Sequence, residues 1–293
     1  MNQSRLTRRD FLNVCGLTAL PTVWCDAADI DADQKPKLRF AVASDLHYAQ
    51  PETPFDETTG NMVAWLNDEK KNGLDAIFLN GDLTHDSSLA LQSLRDKHLA
   101  KLKTPYYAIK GNHDFLDPKP DSPIATWEKV WGYPANHVIK QGDFVFILAD
   151  TSAPHSASTY LAVDEHWLKQ QLVENAQAAG IFIFIHIAQR EEGVDGWPKF
   201  GVHRPEEVKK GAEVMQLLES SDNVRAVFHG HNHNEIGHLV SGEQRYFFDS
   251  HIGGSWGAKK GYRVVEIYDD HRMVTYQWNA EGGKIANKDE IPK

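Results

Sequence analysis

Cysteine is nearly absent from this chain: Cys15 and Cys25 stand close to its start and none follows. A disulfide framework and a catalytic thiol are therefore excluded beyond Cys25. Basic charge is also short, with 31 Lys and Arg against 41 Asp and Glu and a formal net charge of −10. No general basic track exists for a long nucleic acid. An acidic protein can still bind a phosphate ester if bound metal ions supply the positive charge. Long hydrophobic runs are missing as well. The mostly apolar stretch 11–24 would rise only about 21 Å as a helix, against the roughly 30 Å of a bilayer core. Internal repeats and low-complexity segments are absent. What remains is ordinary for a globular protein: 293 residues, 41% hydrophobic and 25% charged.

The start of the chain reads as an address. Arg5, Arg8 and Arg9 precede the apolar stretch, and the small residues Cys25 and Ala27 follow it, the pattern of a signal peptide. Thr7-Arg8-Arg9-Asp10-Phe11-Leu12 resembles a twin-arginine signal. That resemblance implies export of an already folded, metal-loaded protein by the twin-arginine machinery to a periplasmic or extracellular location. Cleavage is expected near Ala27 or Ala28, leaving 1–28 as signal, 29–37 as polar linker and 38–293 as the domain. A merely basic cytosolic N-terminus is the plain alternative. Lipid attachment at Cys25 is disfavoured by bulky Trp24 before it, and no stable membrane insertion is expected after signal removal.

Beyond the linker, strands alternate with helices. Apolar runs at 38–43, 75–79 and 105–109 predict strands, with helices over 61–71 and 87–103 between them. Paired strands are expected at 138–140 and 144–148, a helix over 164–179, a buried strand at 181–185, a helix over 206–219 and a strand at 224–228. The tail alternates as strands at 236–240, 245–248, 262–267 and 273–278, giving an α/β fold with two sheets and a largely antiparallel C-terminal part. Two long segments, a Pro- and Asp-rich loop at 117–123 and a stretch at 188–205, are candidates to shape a site.

Chemistry-bearing residues follow the strands. Ligands of open α/β folds gather at the carboxyl ends of strands, so residues distant in sequence can meet there. The first strand leads into Asp45-Leu46-His47, whose alternate residues share a side if the chain stays extended. The second leads into Gly81-Asp82, the third into Gly111-Asn112-His113-Asp114. The run 181–185 ends at His186, and 224–228 leads into His229-Gly230-His231-Asn232-His233. Each motif alone is weak: Asp-x-His is more often a surface pair, and a lone His after an apolar strand is more often a satisfied core residue. Five such strand ends in this order are not a coincidence.

The ordered set resembles the calcineurin-like metallophosphoesterase superfamily over essentially the whole of 38–293. The resemblance implies a four-layer α/β/β/α sandwich of two mixed sheets with a binuclear metal centre at the strand ends. Asp45, His47 and His233 would hold one ion, Asn112, His186 and His231 the other, and Asp82 would bridge them. His113 would face the leaving group, oriented by Asp114. Purple acid phosphatases carry a Tyr three residues after the bridging Asp. Here that position is His85, which removes the iron–phenolate ligand and makes the cyclic-nucleotide phosphodiesterase branch the better match.

The chemistry needs such a set. Two divalent ions about 3.5–4 Å apart offset the charge of a phosphate ester and acidify a shared water, which attacks in line with the leaving oxygen. Imidazole and carboxylate ligands suit Mn, Fe or Zn. The expected partner is a small phosphate ester, a diester first and a monoester as the alternative; oligomeric state is not read from these residues. Amidohydrolases also use His-x-His with Asp, but place His-x-His on the first strand, the reverse of this order. A scaffold that had lost its chemistry would lack a ligand or the reactive His, and here all are filled. His229 is expected to pack, His85 to stand behind the metals or on the surface with equal weight. His155, Arg190, Trp197 and His203 are as expected on the surface as over the site, and His251 is given little weight.

Overall fold

Along β1 (Leu38–Ala43), Phe40 and Val42 face one side and Ala41 and Ala43 the other, and every residue of the strand is buried. Such burial on both faces is the mark of a strand covered by layers above and below. The computed structural model describes residues 35–293 except 87, 115–126, 155, 192, 198, 200, 235, 236, 250, 258 and 293. The expected signal at 1–28, linker residues 29–34, the loop at 117–123 and His155 lie outside the described residues.

Sheet one runs β14-β13-β12-β1-β2-β3. Its strands β1, β2 (Ala76–Asn80) and β3 (Tyr106–Ile109) are parallel, joined by helices α1 (Phe55–Glu69) and α2 (Ser88–Lys97). Strands β12 (Gly261–Ile267), β13 (Met273–Asn279) and β14 (Lys284–Ile291) add an antiparallel meander to the free edge of β1. Sheet two runs β10-β11-β9-β8-β5-β4. Its centre is parallel: β5 (Phe144–Ala149), β8 (Gly180–Ile185), β9 (Val224–His229) and β11 (Gln244–Phe248). Antiparallel β4 (His137–Gln141) and β10 (Gly237–Ser241) close its edges. A small hairpin, β6 (Ser152–Ala153) with β7 (Ser156–Tyr160), follows β5.

The side-chain period of two sorts the core into three layers of packing. Phe40, Phe78, Phe146, Phe182, Phe184 and Phe228 meet between the sheets. Their rings pack edge-on and offset, as with Phe40 on Phe146 at 5.4 Å and 87° and Phe78 on Phe184 at 4.3 Å and 18°. On the outer face of sheet one, Ala41, Ile77 and Leu79 meet Met62 and Leu66 of α1 and Leu91 and Leu94 of α2. On the outer face of sheet two, Ile147, Ile183 and Ile185 meet Leu168 and Leu172 of α4 (Glu165–Glu174) and Val214 and Leu218 of α5 (Pro205–Glu219). The result is the expected helix–sheet–sheet–helix sandwich.

Several boundaries differ from expectation. Helix α1 starts at Phe55 rather than 61: Asp56 and Glu57 suit its first turn, while Thr58, Thr59 and Gly60 weaken the helical pattern there. Helix α4 stops at Glu174, where Asn175 turns its amide onto the Gln171 carbonyl at 2.8 Å. Strand β11 lies parallel to β9, so within the C-terminal part the antiparallel character is confined to the edge strand β10 and the β12–β14 meander. Helix α3 (Trp127–Trp131) and strand β14 were not expected. In β14 the charged residues fall on both faces and no alternation marks it.

Candidate metal centre

The carboxyl ends of β1, β2 and β3 from one sheet and β8 and β9 from the other open onto the same place. Their loops are laced together by backbone bonds. Asp45 N–H donates to the Gly81 carbonyl (3.0 Å), His47 N–H to the Asp82 carbonyl (2.9 Å) and Gly230 N–H to the His186 carbonyl (3.2 Å). The chain does not stay extended here. Asp45, His47, Asp82 and His231 all take left-handed φ, at 54°, 44°, 48° and 66°. Non-glycine residues rarely do so, and clusters of them mark functional sites. Asp45 and His47 therefore converge by a turned backbone, not by the strand alternation expected of them. Gly81 is required where it stands: its φ is +87°, and a Cβ there would lie 2.3 Å from His186 Nδ1.

The side chains gather in two groups, the buried Asp45, His47 and His233, and the buried Asp82 and His186 with half-buried His231, each with its ligand-type atoms within 4.8 Å of one another. In the first, His233 Nε2 lies 3.1 Å from Asp45 Oδ1 and 3.2 Å from His47 Nε2. In the second, His186 Nε2 lies 3.2 Å from Asp82 Oδ2. Asp82 Oδ2 is also 3.8 Å from His47 Nε2, so this carboxylate stands between the groups. Ring orientations are set from behind. His186 Nδ1–H donates to the Asn80 carbonyl (2.7 Å) and His233 Nδ1–H to the Trp256 carbonyl (3.2 Å). A carbonyl only accepts, so Nδ1 of each ring carries a proton and Nε2 is the nitrogen turned toward the centre, the orientation metal-ligating histidines need.

Electrostatics agree. Burial opposes ionisation of Asp45, but the imidazoles of His233 and His186 hold it well below the usual carboxylate range. Asp82 is likewise held low against its burial, chiefly by His186. In return, Asp82 and Asp45 outweigh burial at His186 and push it up to about 9. Burial pushes His47 and His231 down to about 3, so both present neutral rings. The place attracts positive charge and offers neutral nitrogen and anionic oxygen donors to it.

Asn112 directly precedes His113, whose N–H donates to Asp82 Oδ1 at 2.8 Å. Its amide nitrogen donates to the Ala157 carbonyl (2.8 Å), while its buried Oδ1 meets no hydrogen-bond partner. An orphaned buried oxygen is costly unless something binds it, and a cation here would do so. Oxygen and imidazole donors without thiolate fit a divalent metal.

One expected pairing is corrected. Asp114 does not orient His113. Its carboxylate is filled by the N–H groups of Leu83 (3.0 Å), Thr84 (2.7 Å) and Gly111 (3.0 Å) and by the Thr84 hydroxyl (3.0 Å). It ties the loops after β2 and β3 together; burial and the nearby Asp82 push it up to about 6. His113 Nδ1 instead faces Asp86 Oδ1 at 2.6 Å.

Other histidines are sorted by the fold. His85 Nδ1 lies 3.0 Å from His47 Nδ1, directly behind that ring. His229 is buried, donating from Nδ1 to the Ile185 carbonyl (2.7 Å) and stacking on Phe248, a packing residue as expected. His251, given little weight from sequence, stacks on His233 at 4.6 Å and 14°. Trp197 is buried in the outer core of sheet two, with Arg190 over its ring. His203 meets Tyr160, which in turn packs edge-on against His231 at 4.7 Å. Sequence reading missed Asp86, Tyr160 and Trp256. Trp256, 43% exposed, stacks on His233 at 4.8 Å and 4° and touches the rim of the centre. Only its place in a glycine-rich segment after β11 hinted at a role.

The model of the family described as calcineurin-like phosphoesterase matches residues 38–235. The chain belongs to this family. Its sequence is 29% identical over 201 residues to a probable cyclic nucleotide phosphodiesterase of Synechococcus, covering 67% of this chain and 73% of that one. It is 23% identical over 218 residues to a 3',5'-cyclic adenosine monophosphate phosphodiesterase of Pseudomonas aeruginosa, covering 69% and 73%. Among solved structures, a dimetal phosphatase from Danio rerio superposes with a TM-score of 0.63 at 14% identity, covering 88% of this chain and 99% of that one. A purple acid phosphatase from yellow lupin seeds gives 0.60 at 14% identity, covering 88% and 54%. At these identities the two structures show the shared fold. Family membership and the clustered donors make this calcineurin-like phosphoesterase a metal-binding hydrolase. Among its described residues, no helix is long and apolar enough to cross a membrane.

Proposed function

We propose that this chain is a phosphodiesterase of small substrates that works with two divalent ions, Mn, Fe or Zn. The observation that carries the reading is the position of Asp82, whose Oδ2 stands 3.2 Å from His186 and 3.8 Å from His47. A carboxylate placed between two donor groups is the natural bridge. Asp45, His47 and His233 would hold one ion, and Asn112, His186 and His231 the other. When bound, such ions offset phosphate charge and make a water acidic enough to act as nucleophile near neutral pH.

The reaction is hydrolysis. A water oxygen forms a new bond to phosphorus, the bond to the leaving oxygen breaks with its electron pair, and a proton ends on that oxygen. His113 lies at the edge of the centre, its N–H on Asp82, and we assign it the leaving-group side. The diester preference is supported by the names of two relatives, a probable cyclic nucleotide phosphodiesterase of Synechococcus and a 3',5'-cyclic adenosine monophosphate phosphodiesterase of Pseudomonas aeruginosa. His85 in place of a phenolate ligand points away from the purple acid phosphatase branch. The twin-arginine pattern at 7–12 supports an exported, periplasmic or extracellular enzyme.

The test is metal analysis of the purified protein, followed by turnover of a 3',5'-cyclic nucleotide and a simple phosphate monoester under identical conditions. Two metals per chain with faster diester cleavage is the expected result. Faster monoester cleavage would transfer the assignment to a phosphatase, and absence of bound metal would end both.

A further inference from the structure

Trp256, at the rim of the metal centre, is 43% exposed, and no other Phe, Tyr or Trp among the described residues is exposed. The segment that carries it is tied down. Ile252 N–H donates to the Ser44 carbonyl (3.0 Å), Gly253 N–H to the Asp45 carbonyl (2.9 Å) and Gln50 Nε2 to Ser255 Oγ (3.0 Å). Gly257 then turns the chain with φ at +113°, where a Cβ would fall 2.2 Å from His251 Cε1 and 2.7 Å from His233 Cβ. The indole lies parallel to the His233 ring at 4.8 Å and 4°. Its centroid is 4.9 Å from that of His47, 6.2 Å from His85 and 6.5 Å from His113. It therefore borders both the donor group of Asp45, His47 and His233 and the side assigned to the leaving group.

Holding His233 does not need this ring. His233 Nδ1–H is bonded to the backbone carbonyl of Trp256, which any residue would supply, and His251 stacks on the same imidazole at 4.6 Å and 14°. A large aromatic surface left in water beside a phosphate site is suited instead to a flat partner. We propose that Trp256 is a specificity-determining residue, the platform on which the nucleobase of the ester stacks while its phosphate lies between the donor groups. This rests on the reading of the centre as a phosphodiesterase of small substrates, and it narrows their class to nucleotides. One face of the indole lies on His233, and the exposed remainder receives the base. Every base has a π-face, so the platform separates nucleotides from ringless phosphates without reading which base is present. Fixed in advance by its segment, the ring loses little freedom on engaging its partner. A single exposed ring on a chain of net charge −10 suits one nucleotide, not the run of stacked bases that a single-strand binder holds on a basic groove.

The test uses the metal-loaded protein and its Trp256→Ala and Trp256→Phe variants, with three measurements. The first is metal content. The second is binding of AMP and of ribose 5-phosphate by titration calorimetry, two ligands that share phosphate and sugar and differ in the base. The third is kcat and KM on 3',5'-cyclic AMP. The wild type should bind AMP about 10–100-fold more tightly than ribose 5-phosphate, the usual worth of a stacked base. Trp256→Ala should keep its metals, lose most of that advantage while binding ribose 5-phosphate as before, and raise KM on the cyclic nucleotide more than it lowers kcat. Trp256→Phe, smaller but still flat, should recover much of the loss. Missing metal in Trp256→Ala would make the indole a prop of His233 and overturn the assignment. So would a wild type with no preference for AMP, a preference undiminished in Trp256→Ala, or equal weakening of both ligands. If the preference depends on Trp256 but the wild type leaves cyclic AMP intact, the platform stands and the proposed diester activity fails. If the wild type cleaves cyclic AMP and Trp256→Ala keeps the same KM and the same preference, the activity stands and the platform fails.

Discussion

His47 Nε2 and His233 Nε2 lie 3.2 Å apart, although 186 residues separate them in the chain. His233 Nδ1–H is committed to the Trp256 carbonyl, which turns its Nε2 toward His47, and burial keeps His47 a neutral ring. A cation between the two nitrogens would be held by a lone pair from each ring. Imidazole ligands at about 2.0–2.1 Å from one ion, at tetrahedral or octahedral angles, place their nitrogens roughly 2.8–3.4 Å apart. The spacing is that of two ligands on one metal.

Chelation should accordingly destabilise the protein. A metal held by the folded state alone adds stability that grows with the ratio of free metal to Kd, about 2.7 kcal/mol at a hundredfold excess. Thermal unfolding with a chelator should fall by several degrees and recover on addition of Mn or Zn. Identical melting curves with and without metal would contradict the assignment.

His113→Ala should keep both metals and lose about 10²–10⁴-fold in turnover, the usual worth of a positioned proton donor. Metal analysis and steady-state kinetics on the same preparation decide it. Wild-type turnover would remove His113 from the mechanism.

Asp82→Ala should empty or scramble the metal pair, because its carboxylate stands between His186 and His47. The measurement is metal content per chain by elemental analysis. An unchanged two-metal stoichiometry would rule out the bridge.

Gly81→Ala should reach the same metals by a steric route. The new Cβ would fall 2.3 Å from His186 Nδ1, and the φ of +87° would be strained by about 1–2 kcal/mol for an L side chain. Reduced metal content with a modest fall in melting temperature is expected; full occupancy would show that the loop relaxes freely.

A structural ion pair far from the metals should set part of the acid stability. Arg39 on β1 is buried and donates to Glu69 at the end of α1 and to Glu266 on β12 (2.9 Å). Burial alone would raise Glu69, but bonds from Asn72 and Tyr262 and the Arg39 charge hold it below its ordinary value. A carboxylate lowered on folding stabilises the protein above its unfolded pKa of about 4.3, and that stability is lost as pH falls through the folded value. Glu69→Gln should therefore cost about 1.5–3 kcal/mol at neutral pH and flatten the acid limb of the stability curve. Urea unfolding at neutral and acid pH checks both; parallel curves for variant and wild type would refute it.

The layers and the donor set were legible in the linear chain, because both depend on local rules. Apart from Arg39 and Arg225, residues 38–43, 181–185 and 224–228 are apolar on both faces of a period-two pattern, which announces strands covered above and below. A polar residue just past such a strand has few places to go but the open end of the sheet. Strand β14 and hairpin strand β7 escaped, since neither alternates: one is charged on both faces, the other is built from Ser, Ala and Thr before its final Tyr160. Their pairing is dictated by the neighbours they lie beside.

By itself, then, the sequence determined which residues stand at the strand ends and in what order, a matter of spacing and side-chain chemistry. The tertiary structure decided how they meet. Asp45, His47, Asp82, Asp86 and His231 all leave the extended conformation for left-handed φ, and bonds between loops distant in sequence hold them there. That is why Asp86 rather than the adjacent Asp114 faces His113, and why Trp256 and His251 come to stack on His233. A turned backbone held by remote carbonyls has no signature in local spacing, because the partners that stabilise it are supplied by other strands.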